Sequence, residues 1–136
     1  MDTDSAPDLR KGGSTKLLLA KETEQIIGCA FEVLNEIGHG LYEKIYENGM
    51  LVAFKIRGIS FEQQKHFPVL FREVQVGEFI PDILAFGLVI VDAKTIDRIT
   101  DHEIGQMTNY LRITKLRVGL IINFKYARLQ WERVVL

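Results

Sequence analysis

Asp82, Asp92 and Lys94 carry the strongest chemical signal in this chain. Side chains alternate faces along an extended strand, so in Leu88-Val89-Ile90-Val91-Asp92-Ala93-Lys94-Thr95 the residues Ile90, Asp92 and Lys94 share one face. With Gly87 at the centre of a turn, Asp82 on the preceding strand lies opposite Asp92. Directly opposed Cβ atoms in an antiparallel pair are about 4.5–5.5 Å apart, and like charges at that separation repel. Lys94 supplies one compensating charge, whereas a bound divalent cation would supply two. A hard cation such as Mg2+ takes one or two protein carboxylates and keeps several waters. The carbonyl of Ala93, between the two key side chains, is a further oxygen donor. Lys94 would then position or deprotonate a water, or stabilise charge developing on a phosphate. The competing reading is a buried salt bridge between Lys94 and one aspartate, which accounts for one carboxylate better than for two.

The segment after this hairpin, Asp101 to Thr114, has helical periodicity, with Ile104, Met107 and Leu111 as its apolar stripe. His102, Gln106 and Tyr110 recur at i, i+4 and i+8 and form a polar stripe, with Asn109 beside it. Gln and Tyr offer uncharged donors and acceptors, suited to orienting a water, a phosphate or a lysine. Each taken alone is equally an ordinary surface or core residue. Glu43 falls in the first turn of an earlier helix, where the helix dipole favours a carboxylate. Tyr46, three residues on, shares its face.

The elements that must position these groups follow from hydropathy. Apolar residues at helical spacing from Lys21 to Ile37 (Ile26, Ile27, Ala30, Phe31, Leu34, Ile37) predict a first helix, stopped by Gly38 and Gly40. A second runs from Tyr42 to Arg57 and closes at Gly58. Four strands are expected next, over Ile59–Val69, Leu70–Val76, Gly77–Phe86 and Leu88–Ile96, with Pro68 marking a bend or an edge. The third helix and two final strands, Arg117–Phe124 and Arg128–Val135, complete the order ααββββαββ. That order defines an α/β or α+β domain with a mixed central sheet.

Composition sets the outer bounds. The 136 residues are 47% apolar and 26% charged, the profile of one globular domain. Residues 1–20 read as a flexible polar tail and 21–136 as the domain. The lone Cys29 allows no intramolecular disulfide and reads as a small buried hydrophobe. The acidic start Met1-Asp2-Thr3-Asp4 is unlike a secretory signal, and no apolar run is long enough to span a membrane, so a cytoplasmic location is expected. Net charge is −1, which does not advertise nucleic-acid binding. From Met107 to Leu136, however, six Lys or Arg stand against the single acid Glu132. Arg112, Lys115 and Lys125 in that stretch are candidate phosphate contacts, or simply solvated tips.

Together these motifs resemble the PD-(D/E)XK nuclease superfamily. Pro81-Asp82, then Asp92-Ala93-Lys94 on the next strand, matches its signature. Gln106-x-x-x-Tyr110 on the following helix is similar to the QxxxY motif of its RecB-like branch. Gly40-x-x-Glu43-x-x-Tyr46 is similar to the element that names the GxxExxY proteins, a small prokaryotic branch. Asn109-Tyr110-Leu111 and Gly119-Leu120-Ile121-Ile122-Asn123-Phe124 also resemble that branch. The likeness covers roughly Glu22 to the C-terminus. It implies a restriction-endonuclease-like core, a mixed sheet flanked by helices. It implies Asp82 and Asp92 as metal ligands, Lys94 as the catalytic lysine, and supporting roles for Glu43, Gln106 and Tyr110. Asp92 departs from the glutamate usual in GxxExxY proteins, although the superfamily signature admits Asp there. The shorter side chain draws a metal nearer the strand, and Glu43 is the group to make up the reach.

The expected activity is therefore hydrolysis of nucleic-acid phosphodiester bonds with Mg2+ (or Mn2+), DNA being the expected substrate. Asp82, Asp92, Ala93 and Glu43 are the expected metal-holding residues. Lys94 is the expected catalytic base or charge, with Gln106, Tyr110, Tyr46 and His102 in support. The alternative is a non-catalytic module that keeps the fold to bind nucleic acid or a protein. A third reading is a homodimer that pairs through a Phe-rich sheet edge.

Overall fold

A computed structural model describes residues 18–136. Two helices open it, α1 (Ala20–Ile37) and α2 (Glu43–Arg57). Five short strands follow: β1 (Phe61–Glu62), β2 (Phe67–Phe71), β3 (Val74–Phe79), β4 (Ile83–Ala85) and β5 (Val89–Lys94). Helix α3 (Asp101–Thr114) then leads to β6 (Val118–Asn123) and β7 (Gln130–Val135). The expected tail, residues 1–20, lies outside the described residues up to position 17, and Ala20 already opens α1.

The five-stranded sheet has the order β1-β4-β5-β6-β7, and β2 with β3 forms a separate hairpin. Only β5 and β6 run parallel, joined across one face by α3. A parallel pair requires such a crossover. The result is three layers, the mixed α/β architecture expected from the sequence. One face buries Val89, Val91, Leu120, Ile122 and Phe124 against α1 and α2. The other buries Leu84, Ile90 and Ile121 against Met107 and Leu111 of α3. Gly119 of β6 allows α3 to lie close, since a Cβ there would collide with the Met107 sulfur. Cys29 is free and fully buried on α1, the structural position expected of it. No helix among the described residues is long and apolar enough to cross a membrane.

The strand boundaries between 59 and 86 differ from expectation. The element order is ααβββββαββ, not ααββββαββ. The reversal between β2 and β3 falls at Arg72-Glu73, both left-handed with φ of 50° and 69°. Two-residue hairpin turns of this geometry usually recruit Gly or Asn, so the sequence carries no turn signal there. Gly77, read as a boundary, instead lies inside β3, close to an irregularity at Val69/Leu70. The expected long strand Gly77–Phe86 is broken at Ile80-Pro81-Asp82. Pro lacks the N–H that would continue a ladder. Phe31 and Ile37, placed in the α1 core stripe, are more than a third exposed, and Phe31 packs edge-on against Trp131.

Candidate active site

The β4–β5 turn is centred on Gly87, as the spacing requires. Ile83 pairs with Val91, Leu84 with Ile90 and Ala85 with Val89. Asp82 comes one residue before Ile83, the partner of Val91, which puts it across from Asp92. It is not itself in a strand, because Pro81 has ended the ladder. Asp92 and Lys94 share the face of Ile90, toward α3, as strand alternation demands. Glu43, Pro81, Asp82, Asp92, Lys94, Gln106 and Tyr110 line one cleft of about 250 Å3.

Within it the Lys94 ammonium lies 3.4 Å from an Asp92 carboxylate oxygen, with both side chains about one-fifth exposed. Burial pushes the Asp92 carboxyl above its ordinary range. The Lys94 charge and hydrogen bond pull it down, and the charges of Asp82 and Glu43 push it up again. Burial alone would lower Lys94, but its bond to Asp92 and the charges of Asp92, Glu43 and Tyr110 outweigh that, so it lies above the usual lysine value. Lys94 is thus a cation at neutral pH in the metal-free protein. Burial, then Asp92 and Asp82, raise the Tyr110 phenol against the opposing pull of Lys94, so it stays protonated. The Tyr110 ring stacks on Phe79 of β3, with centroids 4.0 Å apart.

Glu43 arrives from the opposite layer, and Gly40-x-x-Glu43-x-x-Tyr46 explains how. Gly40 adopts φ +82° and donates its N–H to the Phe124 carbonyl at 3.0 Å. Tyr46 stacks flat on Phe124, donates its hydroxyl to the Gly38 carbonyl (2.7 Å) and accepts the Leu41 N–H (3.0 Å). The loop so held delivers Glu43 at the first turn of α2, where its carboxylate accepts the Thr95 N–H at 3.2 Å, just past Lys94. Tyr46 itself is fully buried and does not line the cleft. It braces the motif from within the core.

His102 also lies away from the cleft. It is exposed beside a shallow depression with Gly105, Gln106, Asn109 and Arg112. At 3.6 residues per turn an i, i+8 pair is rotated by about 80°, enough to carry His102 off the face that Tyr110 presents. Arg112 and Lys115 stand before β6 and Lys125 after it, at opposite ends of a strand rising roughly 20 Å. Lys125 is engaged with Asp97, and Arg112 donates to Asn109.

Sequence reasoning assigned no site role to the residues that fix the β5–α3 connection. Asn123, buried at the end of β6, accepts the N–H of Ile96 (3.1 Å) and of Lys125 (3.2 Å). Its amide donates to the Ile96 carbonyl (2.8 Å) and to Gln130 (3.1 Å). Gln130 also accepts the Ile99 N–H at 3.3 Å. These bonds hold the segment between Lys94 and α3. The available signal was a lone amide ending the apolar run Val118–Ile122.

A mixed sheet with α1 and α2 on one face and α3 on the other, carrying Pro81-Asp82 and Asp92-Ala93-Lys94 across one turn, has the arrangement of a nuclease core. The chain matches the PD-(D/E)XK nuclease superfamily over residues 20–134, and it belongs to that superfamily. Membership implies a nucleic-acid substrate, and nucleases of this superfamily generally use divalent metal ions. No curated protein and no solved structure matches the chain.

The residues fit a hard divalent cation. Among the described residues no three His, Cys, Asp or Glu side chains form a ready-made metal cluster. Mg2+ needs fewer, since it keeps several waters. The donors at hand are all oxygens. The Lys94 carbonyl accepts from Phe124 of the segment after β6, at 2.8 Å. Carbonyls alternate sides along a strand, so that of Ala93 points the other way, to the flank where β4 has given out. One lysine faces the carboxylates of Glu43, Asp82 and Asp92, an excess of negative charge that a cation would relieve.

Proposed function

We propose that the protein is a Mg2+- or Mn2+-dependent nuclease that hydrolyses phosphodiester bonds, with DNA as its substrate, and that it belongs to the GxxExxY branch with RecB-like QxxxY features. The single observation that carries this reading is the convergence of Glu43, Asp82, Asp92, Lys94, Gln106 and Tyr110 on one cleft from separate elements of the fold. The branch assignment is supported by the way Gly40 and Tyr46 brace Glu43 beside Thr95.

Asp82, Asp92 and the Ala93 carbonyl would hold the metal, with Glu43 as the additional carboxylate. The bound ion would supply Lewis-acid polarisation of the phosphate and a lowered pKa for the attacking water. Water adds to phosphorus and the bond to the leaving sugar oxygen breaks. One proton is lost from the water and one is gained by the leaving oxygen. Lys94, held as a cation by Asp92, directs its charge at the phosphate oxygens, where negative charge grows in the transition state. Gln106 and Tyr110 offer neutral donors from α3 to orient the same phosphate. Tyr46 and His102 do not line the cleft, and Tyr46 supports the site by bracing the loop that leads into Glu43.

Incubation of the protein with single- and double-stranded DNA and RNA, with Mg2+, with Mn2+ and with chelator, tests the reading. Metal-dependent cleavage of DNA is the expected result. Binding without cleavage under every metal would replace it with the non-catalytic module.

A further inference from the structure

We propose that the outer face of α1 and α2 is the contact surface of a two-fold homodimer. A groove of about 380 Å3 runs between the helices, floored by Val33, Gly49 and Ala53 and walled by Ile37, Val52 and Ile56. A Cβ at Gly49 would lie 2.9 Å from Val33, so glycine lets the two helices meet at this floor. On α2 the core already takes Tyr46, Met50, Ala53 and Phe54. Gly49, Val52 and Ile56, spaced i, i+3 and i+7, form a second stripe on its outward side. Ile56 is 80% exposed, Val52 58% and Ile37 42%. A contiguous exposed apolar patch rimmed by polar residues marks an interaction surface. The Arg57 guanidinium holds Glu32 by two hydrogen bonds, 2.8 and 3.2 Å, and fixes one end of the groove in shape.

Charge selects a second copy as the occupant. The α1 rim of the groove is acidic, through Glu32 and Glu36. The residue beside the projecting Ile56 is the basic Lys55. Glu32 is engaged by Arg57, whereas Glu36 and Lys55 are exposed and in no ion pair among the described residues. In a two-fold contact each residue pair occurs twice. Ile56 of one protomer entering its partner's groove carries Lys55 toward the partner's Glu36, and the reverse contact follows by symmetry. With Glu32 held by Arg57 and Glu36 balanced by Lys55, the face carries no net positive charge to attract a phosphate backbone.

The hairpin tip offers a rival patch, with Leu70, Phe71, Val74 and Val76 exposed. That hairpin rises from the cleft rim, where Phe79 and Ile80 line the wall, so a copy docked there would crowd substrate. The α1–α2 groove is on the far side of the sheet from α3 and leaves the cleft open. The groove and its charges involve no cleft residue; only the setting aside of the hairpin patch rests on the proposed function of the cleft.

Light scattering coupled to gel filtration, over a concentration series of the full chain, tests it. Wild type is expected to dimerise and Ile56→Lys to be monomeric with unchanged circular dichroism, since the side chain is mostly solvated in one copy. Glu36→Lys alone and Lys55→Glu alone each place like charges across the axis twice and should weaken the dimer by about tenfold or more. Glu36→Lys combined with Lys55→Glu should restore it. A wild type that stays monomeric throughout overturns the proposal. So does a dimer that survives Ile56→Lys but is lost in Phe71→Glu, which would move the interface to the hairpin.

Discussion

Tyr46 and Phe124 stack face to face, with centroids 4.5 Å apart and rings within 5° of parallel, and through that contact two residues outside the cleft set the position of one inside it. The Tyr46 hydroxyl spans the loop that leads into Glu43, bonding both Gly38 and Leu41. Tyr46→Phe keeps the stack and removes the bridge. The part-buried Gly38 carbonyl and the N–H of exposed Leu41 then lose their partner, at a cost of about 0.5–1.5 kcal/mol. Urea denaturation should show this as a lower midpoint with an unchanged slope. A variant as stable as wild type would mean that water replaces the hydroxyl and that the loop does not need it.

The start of α3 is held by a reciprocal cap. The Thr100 hydroxyl accepts the His102 N–H, and Glu103 accepts both the Thr100 N–H (2.7 Å) and the Thr100 hydroxyl (2.8 Å). The backbone hydrogen bond from Thr100, then its hydroxyl, hold the Glu103 carboxyl below its ordinary value of 4.5. A carboxyl with a depressed folded pKa adds stability above its unfolded pKa and loses it as pH falls through the folded value. Stability should therefore decline on acidification below about 4.5. Glu103→Gln should flatten that limb, while Thr100→Ala should cost about 1 kcal/mol at neutral pH. Melting curves at several acidic pH values read both effects. An acid limb identical in Glu103→Gln would remove Glu103 from the account.

The charged form of Asp92 is penalised by burial first and then by the charges of Asp82 and Glu43, against the pull of Lys94. Asp92→Asn removes the buried charge and the repulsion while leaving Lys94 near Glu43. The metal-free variant is expected to melt higher than wild type. Wild type should gain stability with rising Mg2+ or Mn2+, as any ligand of the native state alone confers, and the variant should lose most of that gain. A lower melting temperature in the metal-free variant would mean that the Lys94–Asp92 attraction outweighs the burial and repulsion, and would make the cleft a salt-bridge cluster.

Much of this architecture was legible in the sequence where local chemistry and tertiary demand agree. Helix α3 runs over the predicted span because Thr100 and Glu103 cap it and Ile104, Met107 and Leu111 give it one apolar face. The Asp82–Asp92 relationship was legible because Gly87 marks its turn and side chains alternate on either side of it. The β2–β3 hairpin was not, because Arg72 and Glu73 adopt a left-handed turn without a glycine to announce it. The spacing from Glu43 places Tyr46 on the same helix face but does not tell core from cleft. Its partner Phe124 lies 78 positions away in sequence, and no local pattern foretells a stack at that separation. The Asn123–Gln130 network was hidden for the same reason, since it links the end of β6 to the segment after β5.

The measurement that bears most directly on the central claim is cleavage against binding for Lys94→Ala. The lysine charge serves the transition state more than the ground state. Its loss should lower the metal-dependent cleavage rate by about 10²–10³-fold, the cost of removing one preorganised donor. Affinity for the same oligonucleotide, measured without metal, should remain close to wild type. A Lys94→Ala protein that cuts at the wild-type rate, or one whose loss of cleavage is matched by an equal loss of binding, would contradict the account.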